Sequence, residues 1–557
     1  MKPARITQIA LTFIISLLAA AAVACGGGGD KQSSGQLAPD QQFRIRIASD
    51  PSTLDPQLAS FAEDISVVKQ LYRGLFTYDE DLNVVPAVAA ELPTIENGGI
   101  SSDGLTYTIK LRSDATWSDG RTVTAKDFVY AFQRLFDPEA GAQGYYYSFY
   151  TAIDGAEAAA AGEGSAADVA VSAPDNQTLV IHLAYPQPTL PTLLALWPAS
   201  PLREDLIAEN GASWTDAGNL VTDGPFVLAS YSAGDSIVLE ANPVYWGDDT
   251  PTLQELVYKI IPDDSAALVA YQNGEIDLTA IPGPDTERFT GSAEEVRTGT
   301  LETFAIQYNT AQAPFDSKLV RQAFSRAIDR QSYVTAVLHG VGEPALSWLP
   351  ANMPGGDASV GAELGFDPEA AAALLSHAGF PGGEGFPAVT LTVSDTEEYR
   401  ITAEFLQQQL KQNLGIDVAI DTVEEANFYD RYGAGDFEMI WASWFADYAD
   451  PENWLPQQFA TDGGFNVYGY SNPQADDLFE QATSELDNAR RLALYSQAHE
   501  IIIDDQVITP IFHPAGNFLL ARNVGGLTPT ALDAEPGDWF VSNIQILEGA
   551  APPASRP

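Results

Sequence analysis

The spacing of apolar residues predicts alternating strands and helices along most of the chain. Apolar and polar side chains alternate, as they do in half-buried strands, at residues 43–49 and 107–112, and the largely apolar residues 179–183 also predict a strand. A strand, a helix and a second strand follow one another twice, over residues 258–278 and over residues 389–421. Because this order is typical of sheets flanked by helices, the pattern predicts α/β domains.

Two helices have recognisable beginnings. Thr124 precedes a helical pattern and is a residue type that favours the N-terminal cap of a helix. Residues 318–338 are expected to form one long helix, capped by Asp316 or Ser317 and ended at Gly340. The apolar stripe of this helix is expected to pack in a core rather than to contact a ligand.

The composition indicates a folded protein of two or three domains. The chain has 557 residues, of which 45% are apolar and 10% aromatic, which is ample for packed cores. Lys and Arg number 27 against 76 Asp and Glu, so the net charge is −49. A field of this sign repels phosphate backbones and anionic lipid surfaces, so we expect no nucleic-acid partner.

Motifs of several enzyme and metal-binding classes are missing from the sequence. It contains no G-x-S-x-G elbow, no P-loop and no dinucleotide-binding fingerprint. His499 and Glu500 lack the second histidine of a zinc-binding helix, because position 503 is Ile. We therefore expect no metal, no cofactor and no enzymatic activity, although an Asp/Glu pair at glycosidase spacing stays open among so many carboxylates.

The first 24 residues have the features of a secretory signal peptide. Lys2 and Arg5 precede an apolar run, residues 9–24, which ends in small residues. This pattern predicts that the protein is extracytoplasmic. A membrane helix is the alternative interpretation.

Cys25 is the one cysteine of the chain, so internal disulfides are excluded. Residues 22–25, AVAC, resemble a bacterial lipobox, apart from Ala22 where Leu is usual. We expect Cys25 to be acylated and to hold the protein on the cell membrane, with residues 25–41 as a flexible linker. A plain signal peptide, without lipid, is the alternative.

The segment at residues 441–455, WASWFADYADPENWL, carries the clearest candidate site. A strand-like apolar run ends at Asp447, which lies among aromatic residues and is followed at once by a turn. A carboxylate in such surroundings is poorly hydrated and needs a partner of opposite charge. We therefore expect Asp447 to hold a cation in a dry cleft.

Eight short motifs resemble the family 5 solute-binding proteins of ABC importers, the oligopeptide- and dipeptide-binding group. They occur in the order of that family, and the resemblance covers about residues 43–523. The motifs are LDP at 54–56, LYRGL at 71–75, ATWSDG with VTAKDF at 115–128, TDGPF at 222–226, NPVYW at 242–246, GEID at 274–277, VRQAF with AIDR at 320–330, and ADYADP at 446–451.

This resemblance implies a two-lobed periplasmic-binding-protein type II fold with an extra inserted domain and a ligand cleft between the lobes. Domain I would comprise residues 42–92, 200–301 and 511–557, the last including the return through the hinge. Domain II would comprise residues 93–199 and domain III residues 302–510. Two chain crossings, near residues 303–309 and 511–517, would form a hinge whose closure buries the ligand.

The resemblance also implies a short peptide as the ligand, with Asp447 binding its α-ammonium group. Trp444, Phe445 and Ala446 would offer backbone groups to the peptide as an added strand. The other residues expected to line the ligand are Trp441, Ser60, Phe61, Ala62, Tyr145, Tyr399 and Arg400. Arg400 is the candidate for the peptide's C-terminal carboxylate.

The partners implied are the permease subunits of an ABC transporter and the membrane that holds the lipid, with the protein itself a monomer. Two alternatives remain. The same fold could bind an oligosaccharide stacked on Trp441, Trp444 and Trp454, or a nickel chelate, although a sugar gives Asp447 no cation. A secreted hydrolase using an Asp/Glu pair is the other.

Overall fold

The computed structural model describes residues 36–549. The predicted signal peptide, Cys25 and all but the end of the predicted linker lie outside these residues. Strands β1 to β20 are, in chain order, Gln42–Ile47, Phe76–Tyr78, Val84–Pro86, Thr106–Lys110, Val171–Asp175, Thr178–His182, Phe226–Ser232, Ser236–Ala241, Glu255–Ile260, Leu278–Ala280, Glu295–Gly299, Glu302–Tyr308, Glu343–Pro344, Val389–Ser394, Val418–Val423, Met439–Phe445, Ile508–His513, Ala515–Leu520, Val524–Gly525 and Gln545–Ile546. Helices α1 to α15 are Ala62–Leu71, Ala125–Phe136, Ala156–Ala160, Leu190–Leu193, Glu204–Asn210, Asp264–Gln272, Thr286–Phe289, Lys318–Arg326, Arg330–Ala336, Pro368–His377, Glu397–Leu414, Glu425–Gly433, Pro456–Phe459, Pro473–Ser484 and Asn488–Asp505.

Sheet A has seven strands in the order β11-β18-β10-β1-β9-β8-β7. In β1, Phe43, Ile45 and Ile47 are buried and the residues between them are half-buried, which confirms the predicted alternation. β1 runs parallel to both β9 and β10. The predicted strand–helix–strand unit, β9-α6-β10, therefore places one strand on each side of β1.

Sheet B has six strands in the order β13-β17-β12-β16-β14-β15. The second of the two predicted strand–helix–strand units, β14-α11-β15, lies in this sheet, and its two strands are parallel and adjacent. One face of the sheet carries stacked rings of Phe304, Trp441 and Phe512, with ring centroids 5.5 Å apart for Phe304 and Trp441 and 4.9 Å apart for Phe304 and Phe512. Side chains from α8, α9 and α11 complete this core.

The chain passes twice between sheets A and B. It leaves β11 of sheet A and enters β12 of sheet B at residues 300–301, and it returns from β17 to β18 at Pro514. The second crossing lies inside the predicted range. The first lies just before the predicted residues 303–309, because β12 pairs with β16 along its whole length and so belongs to sheet B.

A third sheet, β4-β6-β5, is antiparallel and packs against α2. Thr124 is the N-cap residue of α2, as predicted, and its backbone N–H donates to Asp127 Oδ2 at 2.7 Å. All three strands lie within residues 93–199. The division of the chain into domains I, II and III remains a prediction.

The prediction of a single helix at residues 318–338 is wrong. The structure has two helices there, α8 and α9, with a break before Asp329. The Asp329 carboxylate accepts a hydrogen bond from the backbone N–H of Ser332 at 3.0 Å and so begins the second helix. The apolar stripe of Val320, Phe324 and Ile328 is buried, as predicted.

None of the helices in residues 36–549 combines the length and the apolar character that a bilayer crossing requires. Two of the buried ion pairs in this part of the chain hold loops in place. Arg134 of α2 contacts Asp55 at 2.5 Å, and Arg491 of α15 contacts Asp450 at 2.5 Å. The second pair holds the segment that follows β16, since both side chains are only 6% exposed.

We expect Arg491→Met to lower the free energy of unfolding by about 3–5 kcal/mol, because it leaves the Asp450 carboxylate buried without a partner. Arg490→Met is the matched control. Its pair with Glu485 is formed by a side chain that is 70% exposed, and such pairs contribute less than about 1 kcal/mol. Urea unfolding of both variants measures the difference, and equal losses would contradict the assignment.

Candidate functional site

The candidate site is built on one edge of β16. The opposite edge of β16 pairs with β12 from Met439 to Phe445. At the edge that carries the site, β14 pairs only with Met439 and Ile440. Within residues 36–549, no further strand pairs with this edge of β16 beyond Ile440. The end of the strand therefore leaves backbone hydrogen-bonding groups available to a ligand.

The register shows which residues of β16 have available backbone groups. Ala446 N–H donates to Leu301 O at 2.8 Å, on the β12 side. Backbone groups of an antiparallel strand point alternately to its two sides, so those of Trp444 also face β12. The groups of Ser443 and Phe445 face the open edge. Of the three residues predicted to offer backbone groups, Phe445 has the required orientation, whereas Trp444 and Ala446 do not.

Asp447 follows β16 directly and is held by Asn453. The Asp447 backbone N–H donates to Asn453 Oδ1 at 2.9 Å, and the Asn453 side-chain amide donates to Asp447 Oδ2 at 2.9 Å. Asn453 is fully buried. This pair of bonds fixes the direction of the carboxylate.

The Asp447 carboxylate is half-buried, and no side chain within residues 36–549 serves as its cationic partner. Burial raises its pKa to about 6, and the hydrogen bond from Asn453 opposes that rise only in part. No lysine, arginine or histidine within residues 36–549 contributes to its pKa. The carboxylate is therefore poised to bind a cation that comes from outside the protein.

Aromatic residues of the segment 145–149 lie near Asp447. Burial raises the pKa of Tyr145 to about 12, and the charge of Asp447 adds to this shift. Tyr145 is 52% exposed, and its ring lies 4.9 Å from that of Tyr146. Phe149 contacts Tyr448 with ring centroids 5.6 Å apart. The predicted residue Tyr145 thus lies where it could cover a ligand held by Asp447.

The segment before α1 approaches the same aromatic wall. The Trp197 indole N–H donates to Ala59 O at 2.9 Å, and the Trp197 ring lies 4.9 Å from the ring of Tyr146. The next residues are the predicted Ser60, which is half-buried, and Phe61 and Ala62, which are both exposed. Their backbone is partly engaged, because the N–H groups of Ser60 and Phe61 donate to Asp64 at 3.3 Å.

The two predicted tryptophans differ in position. Trp441 is 1% exposed and stacks in the core of sheet B, so its prediction as a ligand contact is wrong. Trp444 is half-buried on the opposite face, with its ring 5.4 Å from that of Phe465. Phe445 is 46% exposed. Alternation along β16 explains the difference, since Trp441 lies on the face that the helices cover.

The two candidates on α11 also differ. Tyr399 is half-buried, and its ring lies 6.2 Å from that of Phe304 at the edge of the core. Arg400 contacts Glu397 at 2.6 Å and Glu404 at 2.5 Å, and its side chain is 44% exposed. Both contacts compete with a ligand carboxylate for this guanidinium, so the structure favours an exposed cation at the start of a helix.

The structure places one further acid here that the sequence did not reveal. Glu302 lies directly opposite Phe445 in the pairing of β12 with β16. Burial raises its pKa to about 7. Its position depends on a pairing between residues far apart in the chain, which no local pattern shows.

Residues 36–549 contain no group of three or more His, Cys, Asp or Glu side chains that could hold a metal ion. Within these residues the site consists of the Asp447 carboxylate, the open edge of β16 and the aromatic surfaces around them. These features suit a ligand with a positive group and an extended polar backbone.

Comparisons with known proteins agree with the fold and extend over nearly the whole chain. The model of bacterial extracellular solute-binding proteins, family 5 middle, matches residues 83–466. The chain is 30% identical over 535 residues to the oligopeptide-binding protein OppA of Bacillus subtilis (strain 168), covering 93% of this chain and 95% of OppA. It is 32% identical over 523 residues to the probable deoxycholate-binding periplasmic protein YgiS of Escherichia coli (strain K12), again covering 93% and 95%.

Among solved structures, the unliganded open form of the periplasmic murein tripeptide binding protein MppA matches with a TM-score of 0.82 and 28% identity. The match covers 93% of this chain and 99% of that chain. These matches confirm the predicted family and its open, two-lobed α/β fold. The chain belongs to family 5 of the bacterial extracellular solute-binding proteins.

Proposed function

We propose that this protein captures short peptides outside the cytoplasm and delivers them to the permease of an ABC importer. The observation that carries the proposal is the half-buried Asp447 carboxylate, which has no cationic partner in the described part of the chain. The α-ammonium group of a peptide would supply that cation. The peptide backbone would pair with the open edge of β16 at Phe445 and Ser443.

Both interactions are independent of the peptide's sequence. Every unmodified peptide has an ammonium group and a polar backbone, and strand addition satisfies that backbone without contacts to side chains. The Asp447 carboxylate is held in place before the ligand arrives, which lowers the entropic cost of binding. Such a site would bind many peptides of similar length.

The family and the name of the relative OppA support a peptide as the cargo. The name of YgiS favours a second candidate, a non-peptide solute. Deoxycholate carries a carboxylate, however, and an anion would be repelled by Asp447 rather than bound. Mass spectrometry of ligand that remains bound through purification distinguishes the two candidates.

The N-terminus supports a membrane-anchored receptor. Residues 22–25 resemble a lipobox, and the linker that follows would let the binding domain reach the permease. We propose that acylated Cys25 holds the protein at the outer face of the cell membrane, as a monomer. The proposed role is binding, without catalysis.

The variant Asp447→Asn tests the ammonium contact. We expect it to weaken binding of tri-alanine by about 2 kcal/mol, or roughly thirtyfold, because the ammonium loses its charged partner. N-acetyl-tri-alanine, which has no ammonium group, should bind both proteins equally weakly. Calorimetry measures all four affinities, with the exposed Asp462→Asn as the control variant. Unchanged affinity of tri-alanine for Asp447→Asn would contradict the proposal.

Binding should also depend on pH. Burial raises the pKa of Asp447 to about 6 in the free protein. Binding an ammonium group needs the ionised form, so a protonated Asp447 must release its proton, and affinity is lost as the pH falls through 6. We expect tri-alanine to bind about tenfold more weakly at pH 5 than at pH 7.

Calorimetry in buffers of different ionisation enthalpy measures the protons released on binding. Release of about half a proton at pH 6 and almost none at pH 7, still below the ordinary pKa of the peptide's amino group, is the expected result. The same measurement on Asp447→Asn is the control and should lose most of the release. A wild-type affinity that is constant from pH 5 to pH 7 would rule out this role of Asp447.

The lipid anchor is tested by Cys25→Ser, expressed in a bacterium that processes lipoproteins. The wild-type protein should partition into the membrane fraction with an acylated N-terminus, whereas the variant should be released. Mass spectrometry of the mature N-terminus provides the measurement. Recovery of both proteins in the membrane fraction, with Cys25 unmodified, would refute the anchor.

A further inference from the structure

Three parallel strands of sheet B finish at the end of the sheet that carries Asp447. β14 runs parallel to both β15 and β16, so the segments that follow these strands leave the sheet at the same end. After β14 the chain enters α11, after β15 it enters α12, and after β16 it reaches Asp447. A ligand whose amine lies at Asp447 is therefore close to the beginnings of both helices.

Both helices begin with exposed acidic residues. Glu397 and Glu398 lie in the first turn of α11. Glu424 is the N-cap residue of α12, and Glu425 follows it in the first turn. The N-terminus of a helix otherwise attracts anions, because its backbone N–H groups and its dipole favour negative charge. Here the protein's own carboxylates take that position, and they would repel the carboxylate of a ligand.

The helix that begins beside Ser60 and Phe61 has the same character. Glu63 and Asp64 lie in the first turn of α1. The Asp64 carboxylate accepts hydrogen bonds from the backbone N–H groups of Ser60 and Phe61, both at 3.3 Å. These donors are therefore already engaged, and the start of α1 offers no free backbone nest for a ligand carboxylate.

The basic side chains of the site are all paired. The elements that form the site are β16, α11, α12 and residues 59–64, 145–149 and 446–453. They contain no histidine, and their basic residues are Arg400, Lys411 and Arg431. Each of the three forms an ion pair with an acid of the same lobe, at 2.5–2.7 Å. Glu398 and Glu425, in contrast, form no ion pair within residues 36–549.

Lysine and arginine residues elsewhere in the described part of the chain offer no substitute. Those that form no ion pair there are Lys110, Lys126, Lys259, Arg321, Arg326 and Arg330. Arg321 and Arg330 are buried and donate to backbone carbonyls. The other four lie on α2, α8, β4 and β9, none of which forms the site.

The open edge of β16 is also short. β14 occupies this edge at Met439 and Ile440, so a ligand can pair only with residues between Ile440 and Asp447. A longer peptide has to turn away from β16 beyond that stretch. Its carboxylate can then stay in water, which avoids the cost of burying a charge without a partner.

We propose that the protein recognises a peptide by its amino end and disfavours a free carboxylate close to that end. The preferred ligands are peptides whose carboxyl end is amidated, or is carried away from this end of sheet B by further residues. This inference rests on the proposed function, because it takes the peptide's amine at Asp447 as its origin. The acids at the starts of α11 and α12 attract the amine and repel the carboxylate.

Calorimetry with four peptides tests the inference. Two are tri-alanine and tri-alanine amide. The other two are Ala-Ala-Ala-Gly-Ser-Gly-Ser-Gly with a free and with an amidated carboxyl end. At low ionic strength the wild-type protein should bind tri-alanine amide about fivefold more tightly than tri-alanine, because the free carboxylate lies among acids. The two longer peptides should bind equally.

The double variant Glu398→Gln/Glu425→Gln removes two of the acids that form no ion pair. We expect it to reduce the preference for tri-alanine amide to about twofold or less. The matched control is Glu204→Gln/Glu369→Gln, which removes exposed acids from the first turns of α5 and α10. It changes the net charge equally, away from the site, and should keep the preference. Thermal unfolding establishes that both variants are folded.

Salt provides a second measurement that needs no variant. Exposed charges are screened at 0.5 M sodium chloride, so the wild-type preference for tri-alanine amide should fall to about twofold or less. A preference that is unchanged by this salt concentration would contradict an electrostatic origin.

Wild-type protein that binds tri-alanine as tightly as its amide, or more tightly, would overturn the inference. The same conclusion would follow if the double variant kept the full preference, or if amidation strengthened binding of the longer peptide equally. In each case binding of the peptides would leave the proposed function intact. Failure of the wild-type protein to bind any of the four peptides would instead refute peptide capture itself.

Discussion

The site depends on one constraint, a half-buried carboxylate that has no positive partner among residues 36–549. The Asp447 side chain is oriented by Asn453, which bonds both its carboxylate and its backbone. Asn453 is in turn positioned by the turn that Asp450 and Arg491 fix through their buried ion pair. The stability of this turn therefore maintains an electrostatic deficit that a ligand can satisfy.

β16 has both a structural role and a proposed binding role, and these fall on different edges and faces of the strand. One edge bonds β12 along its whole length, which makes the strand rigid. The other edge is open near Ser443 and Phe445, where a peptide backbone could pair. Trp441 packs one face into the core of sheet B. A rigid strand of this kind can bind an extended ligand with little loss of its own entropy.

Local patterns predicted the parts of this molecule that depend on neighbouring residues. The alternation in β1, the start of α2 at Thr124 and the exceptional surroundings of Asp447 are all visible in short segments. The break before Asp329 was missed, although Asp is a favourable cap, because the apolar period continues through it. Arg400 was misjudged although Glu397 and Glu404 lie at helical spacings that favour ion pairs.

Other features could not be predicted because they depend on tertiary pairing. The sequence WASWF does not show which face of β16 the helices cover, so Trp441 and Trp444 looked equivalent. Likewise, Glu302 joins the site only through its pairing with Phe445, far along the chain. The point at which the chain passes from β11 to β12 is set by the same pairing.

A crystal structure of the protein with tri-alanine tests the central claim most directly. The account predicts the peptide's ammonium nitrogen at about 2.8 Å from an Asp447 carboxylate oxygen, with the peptide backbone paired to Phe445. A bound peptide whose amine lies away from Asp447, with that carboxylate in contact only with water, would contradict it.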